Sequence, residues 1–395
     1  MSHNDPVVIV GAARTPMGGL QGDLAPLQAW ELGGVAIAAA LERAGLAGDA
    51  IDQVIMGCVL PAGQGQAPAR QASLHAGLPL AAGCTTVNKM CGSGMQAAIF
   101  AHDQLLAGSN EVLVAGGMES MSNAPYLLAK ARAGYRLGHG QLLDHMFLDG
   151  LEDAYDKGRL MGAFAEECAD HYRFSREAQD AFALTSLTRA MQAIDDGSFA
   201  AEVVPVTVSA RGGDRVIDRD EQPHKAKLDK IPQLKPAFRK GGTVTPANSS
   251  SISDGGAALV LMRQSQAERR GLTPLARIVG HSTHAQEPAW FTTAPVGAIE
   301  KVLAKSGWAA GDVDLYEINE AFAVVTMAAM QELDLAHDKV NVHGGACALG
   351  HPLGCSGARI LVTLLHALQK YDLRTGVAAL CIGGGEATAV AIERI

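Results

Sequence analysis

The sequence predicts an α/β fold that consists of two related domains with a further segment inserted between them. Three observations support this class. Short apolar runs alternate with helical patterns in the first third of the chain, the last third repeats this order, and the middle departs from it. A chain of 395 residues is also long enough for two or three domains.

The N-terminal part contains three apolar runs that predict buried strands, at residues 7–10, 53–58 and 111–115. Two helices are predicted between them. One has an apolar face made of Leu32, Val35, Ala36 and Ala39, and the other runs from about residue 93 to residue 107. Because strand–helix–strand units align their strands in one direction, we expect a largely parallel sheet.

The C-terminal part repeats this order, with predicted strands at 314–318, 339–342 and 377–381 and a predicted helix at 358–369. Short motifs are also repeated. The segment 87–94 (VNKMCGSG) resembles 340–342 (VNV) followed by 355–357 (CSG), and 113–119 (LVAGGME) resembles 380–386 (LCIGGGE). We interpret these repeats as the duplication of one α/β domain.

The middle segment, about 122–250, has a different character. It contains a helix that is predicted to be capped by Ser175 and to stop at Gly197. A charged stretch follows from Arg211 to Lys240, with nine Lys and Arg residues against five Asp and Glu, although the whole chain carries a formal charge of −9. This stretch is either a solvated loop or an anion-binding loop, and its composition does not decide between them.

Composition excludes several classes of protein. The acidic balance excludes a general binder of nucleic acid or of anionic membranes. Seven cysteines without a C-x-x-C pair argue against a disulfide framework or a structural zinc site, and they favour a reducing compartment. The N-terminus lacks the pattern of a signal peptide, and no apolar run approaches the length of a membrane span. We therefore expect a cytoplasmic protein.

Cys91 is the first candidate for chemistry. It lies between a predicted strand at 85–88 and the glycine-rich start of a helix, where unpaired N–H groups favour a thiolate. A packed core cysteine is the alternative for this segment alone. The segment 92–97 (GSGMQA) also matches the dinucleotide-binding pattern, but no acidic residue ends a following strand at the required distance.

Three further segments contain candidate residues. His351 lies in a loop dense in glycine (GHPLG, 350–354), which suits a catalytic base better than a core histidine. Cys381 ends a predicted strand before three glycines, whose backbone N–H groups can face an oxyanion, although a tight turn would also explain them. Asn319 follows the predicted strand 314–318, where turn chemistry is the usual explanation.

Together these segments resemble the signature motifs of thiolases. The likeness rests on 87–95 (VNKMCGSGM), 319–323 (NEAFA), 350–354 (GHPLG) and 381–385 (CIGGG), with support from 241–245 (GGTVT) and 253–255 (SDG). It implies two βαβαβαββ domains stacked as five layers (αβαβα) with an inserted loop domain. The implied boundaries are 1–121 plus 251–274 for the N-terminal domain, 122–250 for the CoA-binding loop domain and 275–395 for the C-terminal domain.

The resemblance also implies residue roles in an acetyl-CoA C-acetyltransferase reaction, which makes or breaks 3-ketoacyl-CoA by a ping-pong route in fatty acid metabolism. Cys91 becomes acylated, His351 accepts its proton, and Cys381 exchanges a proton with the second acyl-CoA. One oxyanion hole joins His351 to a water held by Asn319, and the other uses the backbone N–H groups of Cys91 and Gly383. No metal or redox cofactor is expected, and CoA and acyl-CoA are the substrates.

CoA contacts are implied for the residues Ser250, His224, Lys225, Lys227, Met161 and Phe322. Two departures from the family pattern are visible. Leu160 stands where acetoacetyl-CoA-specific members usually have histidine, and Pro223 stands where relatives often have arginine, so the acyl pocket and the phosphate contacts are expected to differ. Self-association as a homodimer or a homotetramer is expected.

Two alternative functions remain at this stage. One is a condensing enzyme that acts on chains bound to a carrier protein, although such enzymes lack a second cysteine at the position of Cys381. The other is a non-catalytic acyl-CoA binder, or a dinucleotide-binding protein that uses residues 92–97.

Overall fold

The computed structural model describes residues 5–209 and 212–395, so the first four residues and Arg211 of the predicted charged stretch lie outside the described residues. The strands are β1 Val7–Arg14, β2 Gly18–Gly19, β3 Gln53–Gly57, β4 Gly83–Val87, β5 Val112–Ser120, β6 Tyr126–Leu127, β7 Leu143–Asp144, β8 Val206–Val208, β9 Arg215–Ile217, β10 Ser253–Arg263, β11 Ala276–Ala285, β12 Leu315–Ile318, β13 Thr375–Ile382 and β14 Glu386–Arg394.

The α-helices are α1 Ala29–Ala44, α2 Pro68–His75, α3 Ser93–Ala107, α4 Met161–Tyr172, α5 Arg176–Asp195, α6 Gln222–Lys225, α7 Gln264–Arg269, α8 Ala294–Ser306, α9 Ala323–Glu332, α10 Ala346–Leu349 and α11 Leu353–Lys370. A π-helical turn, Phe147–Leu151, and several short 3₁₀ turns complete the described elements. None of the described helices has the length and apolar character needed to cross a membrane.

One large sheet runs through the molecule in the order β12-β13-β14-β11-β1-β10-β5-β3-β4, with β2 beside β10. The prediction of a largely parallel sheet is wrong. Only the pairs β3–β4, β3–β5 and β12–β13 are parallel among the described strands of this sheet. The parallel pairs come from the predicted strand–helix–strand units, whereas β10, β11 and β14, which we did not predict, enter the sheet antiparallel to their neighbours.

The predicted strand at 339–342 is also wrong, because only Val340 forms a bridge, to Tyr316. The next residue, Asn341, has a left-handed backbone (φ 49°), which ends the strand. Its side chain then replaces the missing backbone pairing. The amide oxygen accepts from the N–H of Ile318 and the amide nitrogen donates to the carbonyl of Ile318, both at 2.8 Å.

Five layers result from this arrangement. Helices α1 and α2 cover one face of the N-terminal strands, α8 and α9 cover one face of the C-terminal strands, and α3 and α11 lie between the two groups of strands. The middle helices approach each other closely. A Cβ atom on Gly94 would lie 2.8 Å from the backbone nitrogen of Ala358, and one on Gly357 would lie 2.4 Å from that of Met95. The two glycines therefore allow the helices to cross near their N-termini.

The inserted segment is attached to this core by buried polar contacts. Helix α5 is capped as predicted, because the Ser175 hydroxyl accepts the N–H of Ala178 at 3.2 Å. Arg14, fully buried on β1, donates to both carboxylate oxygens of Asp220 at 2.7 and 2.9 Å and to Glu202 at 2.5 Å. A bidentate, charge-assisted contact of this kind fixes orientation as well as distance. The domain boundaries proposed from the sequence remain predictions.

Candidate active site

A cavity of about 360 Å³ lies between the core and the inserted segment, and it brings the main candidate residues together. Its lining includes Cys91, His351, Cys381, Gly383, Ser250, Met161 and Phe322. Asn319 lies behind His351, with its amide nitrogen 3.4 and 3.5 Å from the two ring nitrogens. A more open depression of about 450 Å³ beside α5 and α9 contains none of these residues.

Local backbone geometry directs Cys91 into the cavity. Strand β4 ends at Val87, Met90 adopts a left-handed conformation (φ 48°), and α3 begins two residues after the cysteine. The Ser93 hydroxyl holds this turn by accepting from the N–H of Lys89 at 2.8 Å and donating to the carbonyl of Met90 at 2.6 Å. At Gly92, a Cβ atom would lie 2.4 Å from the side chain of Ile382, so glycine permits contact with the segment that follows Cys381.

The electrostatic environment of Cys91 differs from the sequence expectation. Burial raises the pKa of the thiol to about 11, and the backbone N–H groups of Gly383 and of Cys91 itself oppose this shift only in part. The thiol form therefore predominates at neutral pH, and the helix N-terminus alone does not produce a thiolate. Cys91 needs a proton acceptor during attack on a carbonyl group.

His351 has the properties of such an acceptor. It lies two residues before α11, and its Nδ1 is 2.5 Å from the hydroxyl of Ser356. The Ser356 hydroxyl donates to the carbonyl of Pro352 at 2.9 Å, so its oxygen accepts from Nδ1–H and Nε2 keeps its lone pair. Burial, followed by the nearby charge of Arg359, lowers the pKa of His351 to about 3, so the ring is neutral at physiological pH.

Cys381 and Asn319 lie at the ends of neighbouring parallel strands. Cys381 is fully buried near the end of β13, and burial together with the charge of Cys91 raises its pKa well above the usual range. Asn319 follows β12 directly, where its backbone N–H donates to the carbonyl of Ala379 at 3.0 Å. Parallel neighbours end at the same edge of a sheet, which explains how the two residues reach one site.

Most of the cavity wall is apolar, and the sequence interpretation missed much of it. The missed lining residues include Phe147, Leu151, Phe238, Phe291 and Leu353. Phe238 is an aromatic residue inside the charged stretch, which was an available signal, whereas Phe147 and Phe291 lie in segments with no recognisable motif. Leu160, which replaces the family histidine, also lines the cavity, so the departure read from the sequence lies at the site itself.

The basic residues of the inserted segment separate into two groups. His224 contacts Asp195 at 3.2 Å, and Lys225 contacts Asp23 and Glu221; neither lines the cavity. Lys227 lines a second cavity of about 350 Å³ that shares Pro246 and Ser251 with the first. Lys230, which we did not single out, lines the second cavity as well.

The geometry bears on two other candidate sites, a dinucleotide site at residues 92–97 and a cation site. The helix crossing at Gly94 occupies the space that a dinucleotide would need above residues 92–97. Within the described ranges, His102, Asp103 and His281 place donor atoms close enough to share a cation, but none of them lines either cavity. Cys355 is fully buried in the core and makes no contact with the cavity, which agrees with a packing role.

Comparison with known proteins identifies the family. The thiolase N-terminal domain matches residues 7–265, and the thiolase C-terminal domain matches residues 272–394. The chain is 52% identical to acetyl-CoA acetyltransferase 2 of Arabidopsis thaliana over 391 residues, covering 98% of this chain and 96% of that one. It is 48% identical to an acetyl-CoA acetyltransferase of Cupriavidus necator over 390 residues, covering 98% and 99% of the two chains.

Solved structures agree with this assignment. The fold matches the acetyl-CoA acetyltransferase of Bacillus anthracis with a TM-score of 0.96 and 43% identity, covering 99% of both chains. It matches the enzyme from Syntrophomonas wolfei with a TM-score of 0.96 and 41% identity, covering 99% of this chain and all of that one. The five-layer α/β fold, the duplicated halves and the matched motifs thus have one explanation: this chain belongs to the thiolase family.

Proposed function

We propose that this chain is an acetyl-CoA acetyltransferase that forms and cleaves 3-ketoacyl-CoA through an acyl group on Cys91. The main support is the cavity in which Cys91, His351 and Cys381 meet although 260 or more residues separate the first from the other two. Relatives that share about half of the sequence over nearly the full length carry the name of this activity.

In the first half-reaction, the proton of the Cys91 thiol moves to Nε2 of His351 as the sulfur attacks the thioester carbonyl. The tetrahedral intermediate collapses to the acylated cysteine, and the departing CoA sulfur takes the proton back from His351. A neutral imidazole suits both steps, since it can accept and return one proton. The N–H groups of Cys91 and Gly383 face the sulfur of Cys91 and can stabilise the adjacent oxyanion.

In the second half-reaction, the Cys381 thiol passes its proton to Nε2 of His351, and the resulting thiolate accepts a proton from the α-carbon of a second acyl-CoA. Acylation prevents Cys91 from ionising, so no charge on Cys91 opposes the thiolate of Cys381. The carbanion attacks the acyl group, and Cys91 leaves as a thiolate that takes this proton from His351. Asn319 and His351 are proposed to stabilise the enolate oxygen of the second substrate.

The CoA chain is proposed to extend from the apolar cavity into the second one. Ser250 and Phe322 line the first cavity, and Lys227 and Lys230 offer ammonium groups to the phosphates in the second. We therefore replace His224 and Lys225 by Lys230 as the preferred phosphate contact beside Lys227. The chain length of the acyl group is left open, since Leu160 enlarges the apolar part of the wall.

Self-association and location are further parts of the proposal. Strand β4 forms one edge of the large sheet and pairs with β3 alone among the described strands, so its outer side can take another strand. This supports a homodimer or a homotetramer. A cytoplasmic location, a role in fatty acid metabolism and the absence of a metal or redox cofactor remain expectations from the sequence.

One assay tests the main claim. The protein is incubated with acetoacetyl-CoA and CoA, and the loss of enolate absorbance is followed for the unsubstituted chain, for Cys91→Ala and for Cys84→Ala as a matched control. We expect turnover in the first and third proteins alone, with the acetyl group on Cys91 by mass spectrometry. An absence of turnover with every 3-ketoacyl-CoA tried would exclude the proposal, and acylation of a carrier protein instead of CoA would favour the alternative condensing enzyme.

A further inference from the structure

Glu119 is a buried carboxylic acid that the proposed mechanism does not use. It lies near the end of β5, is fully inaccessible to solvent, and forms no ion pair with any described basic side chain. An ionised carboxylate in such a place needs other donors to offset the loss of hydration. The contacts of Glu119 show which donors these are.

Both carboxylate oxygens bind backbone N–H groups. One oxygen accepts from Val59 at 2.9 Å and from Gly354 at 2.8 Å, and the other accepts from Leu60 at 3.1 Å and contacts the thiol of Cys58 at 3.5 Å. Three N–H donors therefore converge on one side chain. Only the ionised carboxylate accepts from all of them without presenting a hydrogen of its own.

The three donors come from the two walls of the active site. Gly354 is in the first turn of α11, three residues after His351. Val59 and Leu60 belong to a small apolar cluster that packs against Cys91. Glu119 thus connects the segment that holds His351 to the segment that supports Cys91, and these segments belong to different halves of the duplicated fold.

The packing around Glu119 leaves no space for a side chain at position 354. A Cβ atom on Gly354 would lie 2.9 Å from the Glu119 carboxylate and 2.8 Å from the Cα of Cys58. The equivalent residue of the other half, Glu386, is half-exposed and pairs with Lys89. The burial of Glu119 is therefore not a general feature of the repeated motif.

We infer that Glu119 is a positioning residue that sets the distance between His351 and Cys91 in the thiolase reaction, and that it does so as a carboxylate. This inference rests on the proposed function. Burial raises the pKa of Glu119 to about 7, so a fraction of the molecules loses the full set of contacts as the pH falls through neutrality. The other titratable groups that face it are Cys58, Cys91 and Cys355, on three different segments.

The test measures the rate at which acetyl-CoA acetylates Cys91, by rapid-quench mass spectrometry between pH 5.5 and 9. Glu119→Gln places an amide N–H against at least one backbone N–H, and we expect at least a tenfold slower acetylation at pH 8. We also expect the decline of the rate below pH 7 to disappear in this variant. Glu119→Asp keeps the charge, and it should keep the decline even if the rate is lower.

Glu166→Gln is the matched control, because Glu166 is also fully buried and also accepts backbone N–H groups, from Thr243 and Val244. It should lower the melting temperature without changing the shape of the pH profile. A second readout is alkylation of Cys91 by iodoacetamide. Removal of the Glu119 charge should move its pH midpoint downward in Glu119→Gln but not in Glu119→Asp, whereas loosening of the fold would expose the thiol and move the midpoint downward in both variants.

The outcomes distinguish a failure of the proposed function from a failure of the inference about Glu119. If the unsubstituted protein is not acetylated on Cys91, the proposed function fails. If it is acetylated, and Glu119→Gln reacts at the same rate with the same pH profile, the inference about Glu119 is overturned. A slower Glu119→Gln protein whose acid limb is unchanged, and whose alkylation midpoint does not move, also overturns it, since the residue would then be merely structural.

Discussion

The starts of α3 and α11 are equivalent points in the two halves of the molecule, and they carry different chemistry. Cys91 lies two residues before α3 and His351 lies two residues before α11. In each case a residue with a positive φ comes immediately before, Met90 (φ 48°) in one half and Gly350 (φ 100°) in the other. The duplicated scaffold thus supplies two directed side chains that meet where the helices cross.

The surroundings decide what each side chain does. Cys91 is half-buried and faces the backbone N–H groups of Cys91 and Gly383, which suit a sulfur or oxygen anion. His351 is buried, bonded to Ser356 and neutral. The comparison teaches that duplication provides position, whereas the surroundings set the protonation state, a thiol at Cys91 and a neutral imidazole at His351.

Removal of the proposed base should give the largest effect. His351→Ala deprives the Cys91 thiol, whose pKa is about 11, of its proton acceptor. We expect acylation to slow by about 10²–10⁴-fold, as is typical for general base catalysis. Stopped-flow measurement of CoA release tests this, with His75→Ala on α2 as the control. An equal effect of the two substitutions would mean that His351 is not the proton acceptor of Cys91.

The state of the nucleophile can be measured directly. Because a thiolate is the reactive form, a thiol with a pKa of about 11 should alkylate about tenfold faster for each pH unit, hence about 100-fold faster at pH 9 than at pH 7. The measurement is the rate of iodoacetamide labelling at Cys91, followed by peptide mass spectrometry. A rate that levels off near pH 7 would show that the N–H groups at the start of α3 outweigh burial.

The crossing of the two helices can be disturbed without touching a catalytic side chain. Gly357→Ala would force a Cβ atom to within 2.4 Å of the Met95 nitrogen, so we expect a loss of about 1–3 kcal/mol in the free energy of unfolding. Gly311→Ala, where no neighbour lies within 4 Å, should change it by less than about 0.5 kcal/mol. Urea denaturation gives both values, and similar losses would argue against close helix contact.

The smallest effect is expected at β12, the edge strand of the C-terminal half. Asn341→Ala removes two hydrogen bonds to Ile318 and one to the Glu320 carboxylate, and we expect a loss of about 1–2 kcal/mol in the free energy of unfolding. Asp334→Ala is the control, because Asp334 is exposed and has a similar left-handed backbone (φ 51°). Thermal unfolding of both variants measures the difference. Equal melting temperatures would mean that the amide of Asn341 does not stabilise the edge.

The sequence predicted those elements whose signals are local. Helix α3 has the predicted bounds, because an apolar face and a glycine start define it. Helix α11 begins at Leu353, earlier than the predicted 358, since Gly354 and Gly357 in its first turns obscured a helix that is buried on all sides. Strands β10 and β11 depend on partners that are distant in sequence, and no local pattern specified their antiparallel pairing. Strand β14 also pairs with its neighbour β13 across the glycines 383–385, a hairpin signal that the sequence did offer.

The candidate active site shows the same division between local sequence signals and contacts that depend on the whole fold. Cys91, His351 and Cys381 were found through motifs, but their meeting in one cavity depends on the crossing of two helices and on the end of β13. Phe147, Phe291 and Lys230 were missed, because their place in the walls follows from how the inserted segment folds over the core. Ser356 could have been suspected, since it lies five residues after His351 at the start of a helix.

The Asn341 amide, which replaces strand pairing at Ile318, affects how copies of this chain can add to one another at the edges of the sheet. Copies of a chain can add without limit when both edge strands of the sheet are free to pair. When only one edge strand is free, addition stops at a pair. Asn341 occupies the N–H and carbonyl groups of Ile318 at the β12 edge, whereas β4 at the other edge pairs with β3 alone among the described strands. One side chain can thus withhold the backbone of Ile318 from a further strand, which makes this edge a poor place for a second copy to add.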